Sequence, residues 1–193
     1  EDTALLLAAH AVITRPGAAS RASETSSTAA GLAEHFEVHR IEQGYVDGGD
    51  VLRIGRTIYV GLSSRTDSEG IAALHELVRP LSFEVVQARL DGCLHLKTGA
   101  TLAGADRAGN AVLLYHPGSV DPGQFAGVEP MAVDAEEPGA ANCLRVGDRL
   151  ILPAGNPSTA QRLRDSGFHV VELDVSELQK AEAGVTCMSL IES

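Results

Sequence analysis

One tetrapeptide returns in this chain: Leu52-Arg53-Ile54-Gly55 recurs as Leu144-Arg145-Val146-Gly147, an offset of 92 residues (144 minus 52) or two periods of 46. A unit of that size cannot bury a core alone and must pack against its neighbours, so the repeat constrains the fold more than any composition does. Its context recurs too. Asp50 to Ile54 and Thr57 to Leu62 alternate apolar and polar residues like two strands meeting at Gly55-Arg56. Ile71, Leu74, Leu77 and Val78 then fall at helical spacing within Ser68 to Val78, before Pro80 stops the run. Phe83 to Leu90 reads as a third strand. The later copy places its hairpin at Asn142 to Val146 and Arg149 to Leu152, its helix at Ser158 to Ser166 and its strand at Phe168 to Leu173.

The pattern is therefore ββαβ, and it occurs elsewhere. Thr3 to Ala8, Ala11 to Thr14, a helix over Ser23 to His35 and a strand over Phe36 to Ile41 make another copy. A degenerate one runs from strands at Cys93 to Leu102 and Ala111 to Tyr115, through a short helix near Pro122 to Ala126, to Met131 to Val133. Ser176 to Ile191 is left as a strand and helix of a fifth unit. The expectation is a single α/β domain over 1–193 built as a five-module ββαβ propeller, with its first module largely missing from this chain, which opens at Glu1 without Met. Loops at Gly44 to Gly49, Gly92, Pro138 to Ala141 and Gly184 would converge on the axis, a natural place for function.

Charge narrows the partners. Fifteen basic residues against 26 acidic give a net charge of −11, which argues against a nucleic-acid or anionic-lipid surface, and 4% aromatics without Trp leave little for stacking on bases. No apolar run has the length of a bilayer span. Cys93, Cys143 and Cys187 are an odd number at wide spacing, so neither a disulfide framework nor a zinc set is indicated and a cytoplasmic setting is the simplest expectation. No GxGxxG, Walker or GxSxG motif appears, and no cofactor is expected.

Several residue types carry possible chemistry. Cys187 follows the turn-forming Gly184, and His95 lies among alternating apolar residues at a strand start; a Cys and a His far apart in sequence suit a thiol nucleophile with its base. Taken singly, a lone Cys is more often a small core hydrophobe, and a lone His is a core or edge residue about as often as a catalytic one. Asp47-Gly48-Gly49-Asp50 lets one carboxylate point to the axis while the other closes a turn, its glycines permitting φ above zero and close backbone approach; a plain tight turn is the bland alternative. Glu1 and Asp2 could together hold a guanidinium. Arg21 and Arg65 occupy the same place in two modules, after the hairpin and before the helix, from which both could meet one carboxylate. His35 and His39 have i, i+4 spacing but no third ligand nearby, so no metal is expected.

In order along the whole chain, Glu1-Asp2, Thr14-Arg15-Pro16-Gly17 with Ser20-Arg21, Asp47-Gly48-Gly49-Asp50-Val51, Val60-Gly61-Leu62-Ser63 with Arg65-Thr66, Leu94-His95-Leu96-Lys97, Ala140-Ala141-Asn142-Cys143, and Leu178 with Thr186-Cys187 resemble dimethylarginine dimethylaminohydrolase, of the guanidine-modifying (pentein) superfamily. The resemblance implies a five-module α/β propeller and a hydrolase that converts Nω-methylated arginine to citrulline and a methylamine. It implies Cys187 as nucleophile, His95 as general acid/base and Asp47 as the carboxylate that orients it. Glu1 and Asp2 would receive the substrate guanidinium, and Arg21 and Arg65 the amino-acid carboxylate. A small-molecule substrate is thus the expected partner, with a homodimer allowed. Arginine deiminases carry an acid where this chain has Lys97, which favours methylated arginine over arginine. Another rival, a non-catalytic binding propeller, has no reason to keep Cys187, His95 and Asp47 together.

Overall fold

The computed structural model describes residues 1–191. Four three-stranded sheets are present among them, each with the same connectivity. The first has β1 (Ala4–Leu7) antiparallel to β2 (His10–Ile13), then α1 (Glu24–Leu32), then β3 (Glu37–Arg40) parallel to β2. The second follows with β4 (Val51–Ile54), β5 (Thr57–Leu62), α2 (Ser68–Val78) and β6 (Glu84–Arg89). In the third, a short helix α3 (Leu96–Gly99) precedes β7 (Ala100–Ala105), β8 (Ala111–Tyr115) and β9 (Glu129–Ala132). The fourth comprises β10 (Leu144–Val146), β11 (Arg149–Pro153), α4 (Pro157–Asp165) and β12 (His169–Leu173), and α5 (Ser176–Gln179) comes last.

The order has a local cause. A two-residue turn can join antiparallel strands, whereas the parallel third strand needs a crossover, supplied in three of the sheets by a helix and in the third by the longer loop through a 3-10 turn at Pro122–Gln124. Gly55 and Gly147 sit at the equivalent hairpin tips with φ of 60° and 61°, the left-handed conformation that a residue lacking Cβ adopts most easily. In the first hairpin that position is Ala8, at φ 52°.

The chain forms two compact units, Glu1–Arg89 with the segment from Ser189, and Leu90–Met188. In the first, Leu7, Val12, Ile58, Val60, Leu74, Val78 and Phe83 form one core, while Ile13 packs with Ala4 and Ala29 in a smaller one. In the second, Leu114, Leu150, Leu152, Leu163 and Phe168 are buried together. Burying each such side chain stabilises by about 1.5–3 kcal/mol. Among the described residues no helix is long and apolar enough to cross a membrane.

Two expectations need correction. The strand expected from Cys93 begins only at Ala100, because Leu96–Gly99 coil into a turn of helix, so His95 sits at a helix start rather than in a strand. The C-terminal segment holds the short helix α5 followed by turns, with no strand among its described residues.

Candidate active site

In the first unit, the site residues are organised by hydrogen bonds to two buried aspartates. Gly48–Asp50 make a 3-10 turn leading into β4. Asp50, fully buried, accepts from the Ser63 hydroxyl at 2.6 Å and the Thr66 hydroxyl at 2.7 Å. Ser63 Oγ in turn accepts the Arg65 and Thr66 amides at 2.9 and 3.2 Å, which fixes the loop carrying Arg65. Thr66 Oγ1 also accepts the Asp47 amide at 3.0 Å, so one hydroxyl links the two ends of the Asp47-Gly48-Gly49-Asp50 motif. Asp47, also fully buried, accepts the Gly17 amide at 3.1 Å. A Cβ on Gly17 would lie 2.6 Å from the Arg65 carbonyl oxygen, so a side chain there would push apart the two loops that carry the arginines.

Asp2 is tied to the same turn. Its Oδ1 accepts the Gly49 amide at 2.8 Å and its carbonyl accepts the Gly48 amide at 3.0 Å. A Cβ on Gly48 would meet the Glu1 carbonyl oxygen at 2.1 Å. Neither Gly48 nor Gly49 has positive φ, so the glycines serve close approach of the chain start rather than a left-handed turn. Arg21, in the 3-10 turn before α1, donates to Asp2 Oδ2 and pairs with Glu24 at 3.0 Å. These hydrogen bonds, to Glu24 first and then to Asp2, raise its pKa and hold it charged. Arg65 differs: among the described residues no ion pair engages its guanidinium.

In the second unit one side chain connects the remaining positions. Asn142 donates through Nδ2 to the Lys97 carbonyl, in the helix that His95 opens, and to Thr186 Oγ1, each at 2.9 Å. Its Oδ1 accepts the Thr186 amide at 3.3 Å. Cys187 is the next residue, in a turn where its amide donates to the Gly184 carbonyl and the Gly184 amide points at its sulfur, both at 3.3 Å. A Cβ on Gly184 would lie 2.2 Å from Asn142 Oδ1, so the glycine is what lets the amide in. Cys143 is different in kind. It is buried with Sγ 3.0 Å from Thr101 Oγ1, and burial pushes its thiol up to about 11, so it stays neutral.

Of the residues singled out in the sequence, Glu1, Asp2, Arg21, Asp47 and Arg65 thus fall in the first unit and His95 and Cys187 in the second. The Asn142 connection is new. Its motif, Ala140-Ala141-Asn142-Cys143, was visible, but both partners lie more than forty residues away. The Ser63/Thr66 pair on Asp50 was likewise unread, although Ser-x-x-Thr directly after a strand is a cue for such a loop.

Small ββαβ sheets carrying a carboxylate-rich turn in one unit and a Cys turn tied to a His-bearing helix in the other define an α/β enzyme of the guanidine-modifying type. No family model matches the chain. Dimethylarginine dimethylaminohydrolase of Pseudomonas aeruginosa is 36% identical over 98% of this chain and 74% of its own length. The Streptomyces coelicolor enzyme of the same name is 38% identical over 98% and 72%. Among solved structures, a Cys-to-Ser mutant of the Pseudomonas aeruginosa protein, complexed with citrulline, superimposes with a TM-score of 0.91 at 34% identity, covering 98% of this chain and 74% of that one. The chain belongs to the dimethylarginine dimethylaminohydrolase family.

Proposed function

We propose that this chain hydrolyses Nω-methylated arginine, asymmetric dimethylarginine or monomethylarginine, to citrulline and a methylamine. The observation that carries the reading is the Asn142 amide, which holds the residue next to Cys187 and the helix opened by His95 in one frame. A fixed thiol and a fixed imidazole are what addition to a guanidinium carbon needs.

The Cys187 thiolate adds to that carbon, forming a C–S bond, and the carbon–nitrogen bond to the methylated nitrogen breaks as His95 protonates the departing amine. Water, deprotonated by His95, then adds to the S-linked thiouronium carbon. Collapse expels the thiolate and leaves the ureido group of citrulline. Asp47 orients His95. Glu1 and Asp2 accept the guanidinium N–H groups, and Arg65 with Arg21 binds the amino-acid carboxylate. The substrate's positive charge favours the thiolate until attack. A relative whose Cys-to-Ser mutant is complexed with citrulline supports both the product and the thiol.

Lys97 favours methylated substrate over arginine. An acid there would pair with two free guanidine N–H groups and be left desolvated by dimethylation, whereas an ammonium accepts nothing and stays out of the contact. The finer fold reading, one propeller domain of five modules, is a proposal supported by the fourfold recurrence of one sheet. A cytosolic setting, in keeping with three cysteines that form no disulfide among the described residues, and a homodimer belong with it. The test is citrulline release from dimethylarginine by the purified protein. Turnover that disappears in Cys187→Ser supports the reading, and a parent that releases no citrulline, or a Ser variant that still does, overturns it.

A further inference from the structure

The first sheet brings together three side chains that the reaction above does not use. His10 opens β2, and Glu37 and His39 lie in β3, the edge strand of that sheet. Parallel pairing sets His10 opposite Glu37 and Val12 opposite His39. Side chains alternate along a strand, so His10, Glu37 and His39 share one face, with His39 diagonal to His10. His39 finds its partners not in His35 but in Glu37 of its own strand and in His10, 29 residues earlier.

The spacing of the donor atoms is specific. His10 Nδ1 lies 3.1 Å from His39 Nε2, and the two rings stand 5.3 Å apart between centroids. One Glu37 oxygen is 3.5 Å from His10 Nδ1 and the other 3.7 Å from His39 Nε2. Ligands about 2.0–2.1 Å from a tetrahedral zinc ion stand about 3.3–3.4 Å from one another, which is the scale of all three separations. One ligand atom from each of the three residues lies within 4.8 Å of the other two, close enough for a single ion to be shared among them. We propose that His10, Glu37 and His39 form a binding site for a divalent transition-metal ion of the zinc type.

The donor set selects the ion. Two imidazoles and a carboxylate suit zinc and its borderline neighbours, a set without thiolate does not favour Cu(I), and imidazole is a poor ligand for magnesium or calcium. Exposure sets the coordination. The histidine side chains are 25% and 26% exposed and that of Glu37 is 68%, so the rings are packed in place while the carboxylate side opens to water, which supplies the remaining position. Precision comes from the scaffold, since β2 and β3 are held in register by main-chain bonds and Ile13 and Val38 pack with Ala29 and Leu32. A bound ion ties the edge strand to its neighbour and clasps the β2–α1–β3 crossover.

Zinc binding to the purified, metal-stripped chain tests this, by calorimetry and by the absorption spectrum of the Co²⁺ form. Expected are one equivalent bound, a Co²⁺ spectrum lacking the thiolate charge-transfer band, and retention of the site in Cys187→Ser. His10→Ala, His39→Ala and the exposed-face substitution Glu37→Gln should each weaken the affinity at least ~10-fold, since even outer-shell partners are worth ~10–100-fold. Circular dichroism of the metal-free variants shows that they fold, and Glu37→Gln serves should a histidine variant not. Absence of zinc binding would mean that the two imidazoles merely share a proton, and overturns the site. So does binding that persists in Glu37→Gln and the histidine variants, or that is lost instead in Cys187→Ser with a thiolate band in the parent.

Discussion

Cys143 and Cys187 are chemically identical until their surroundings act on them. With its thiol at about 11, Cys143 is ionised to only about 10⁻⁴ at pH 7, and it lies out of reach of solvent. Iodoacetamide at neutral pH, followed by peptide mass spectrometry, should modify Cys187 and leave Cys143 untouched; Cys143→Ala should keep most activity, while Cys187→Ser loses about 10³-fold or more in kcat. Asn142 offers a subtler test. Asn142→Ala removes the donor shared by Lys97 and Thr186, so kcat should fall about 10²-fold with KM nearly unchanged, as expected when reacting groups drift by about an ångström. An effect confined to thermal stability would reduce Asn142 to a scaffold residue. Cys187, His95 and Asp47 stand out in the sequence because their neighbours form ordered motifs. The work of Asn142 does not, because a hydrogen bond to a main-chain carbonyl forty-five positions away leaves no mark in the sequence of either partner.

Elements were legible where a turn signal and a periodicity agreed. α2 spans the expected Ser68–Val78, with Asp67 capping the Gly70 amide at 2.8 Å and Leu74 and Val78 facing the core. Around His95 they disagreed: the apolar alternation of Leu94-His95-Leu96 imitates a strand, but Leu96 is buried from a turn of helix. The hairpin tips make a quantitative prediction. Ala8 holds the left-handed position that Gly55 and Gly147 fill in two of the other repeats, a conformation costing an L-residue roughly 1–2 kcal/mol. Glycine gives back about 0.4–1 kcal/mol through its freer unfolded chain, so Ala8→Gly should stabilise by up to ~1 kcal/mol and raise the urea midpoint, while Gly55→Ala lowers it. α4 has no cap from its own Asn156; Glu137 instead accepts the Ser158 and Thr159 amides at 2.9 and 2.8 Å. Burial pushes the Glu137 carboxyl up, but the hydrogen bonds from Thr159 and Ser158 outweigh it and the net pKa is lowered. A depressed folded pKa stabilises above the ordinary carboxylate value, and the contribution is lost as pH falls through the lower folded one. Glu137→Gln should therefore cost about 1 kcal/mol near neutrality and flatten the acid limb of the stability profile between those two values.

For the molecule as a whole, the recurrence of one four-residue phrase was enough to reveal the repeated sheet, because the second and fourth hairpins use the same glycine tip with the same alternation to either side. Substrate preference is read on the whole protein, although it turns on the charge at Lys97. In a competition between arginine and dimethylarginine, the parent should show the higher kcat/KM for dimethylarginine, and Lys97→Asp should narrow the gap; a parent that prefers arginine would make deimination the better description. The Arg21–Asp2 pair carries a last implication. If Asp2 is where a substrate's guanidinium arrives, the resting protein already holds one there, an internal rival that no dilution can wash away. Apparent affinity is then multiplied by the fraction of time that the place is vacant, so a pair closed ~99% of the time weakens binding about a hundredfold without altering a single contact to the substrate. The concentration of methylated arginine that half-fills the site would thus be set in part by the chain's own arginine, shifting the working range upward.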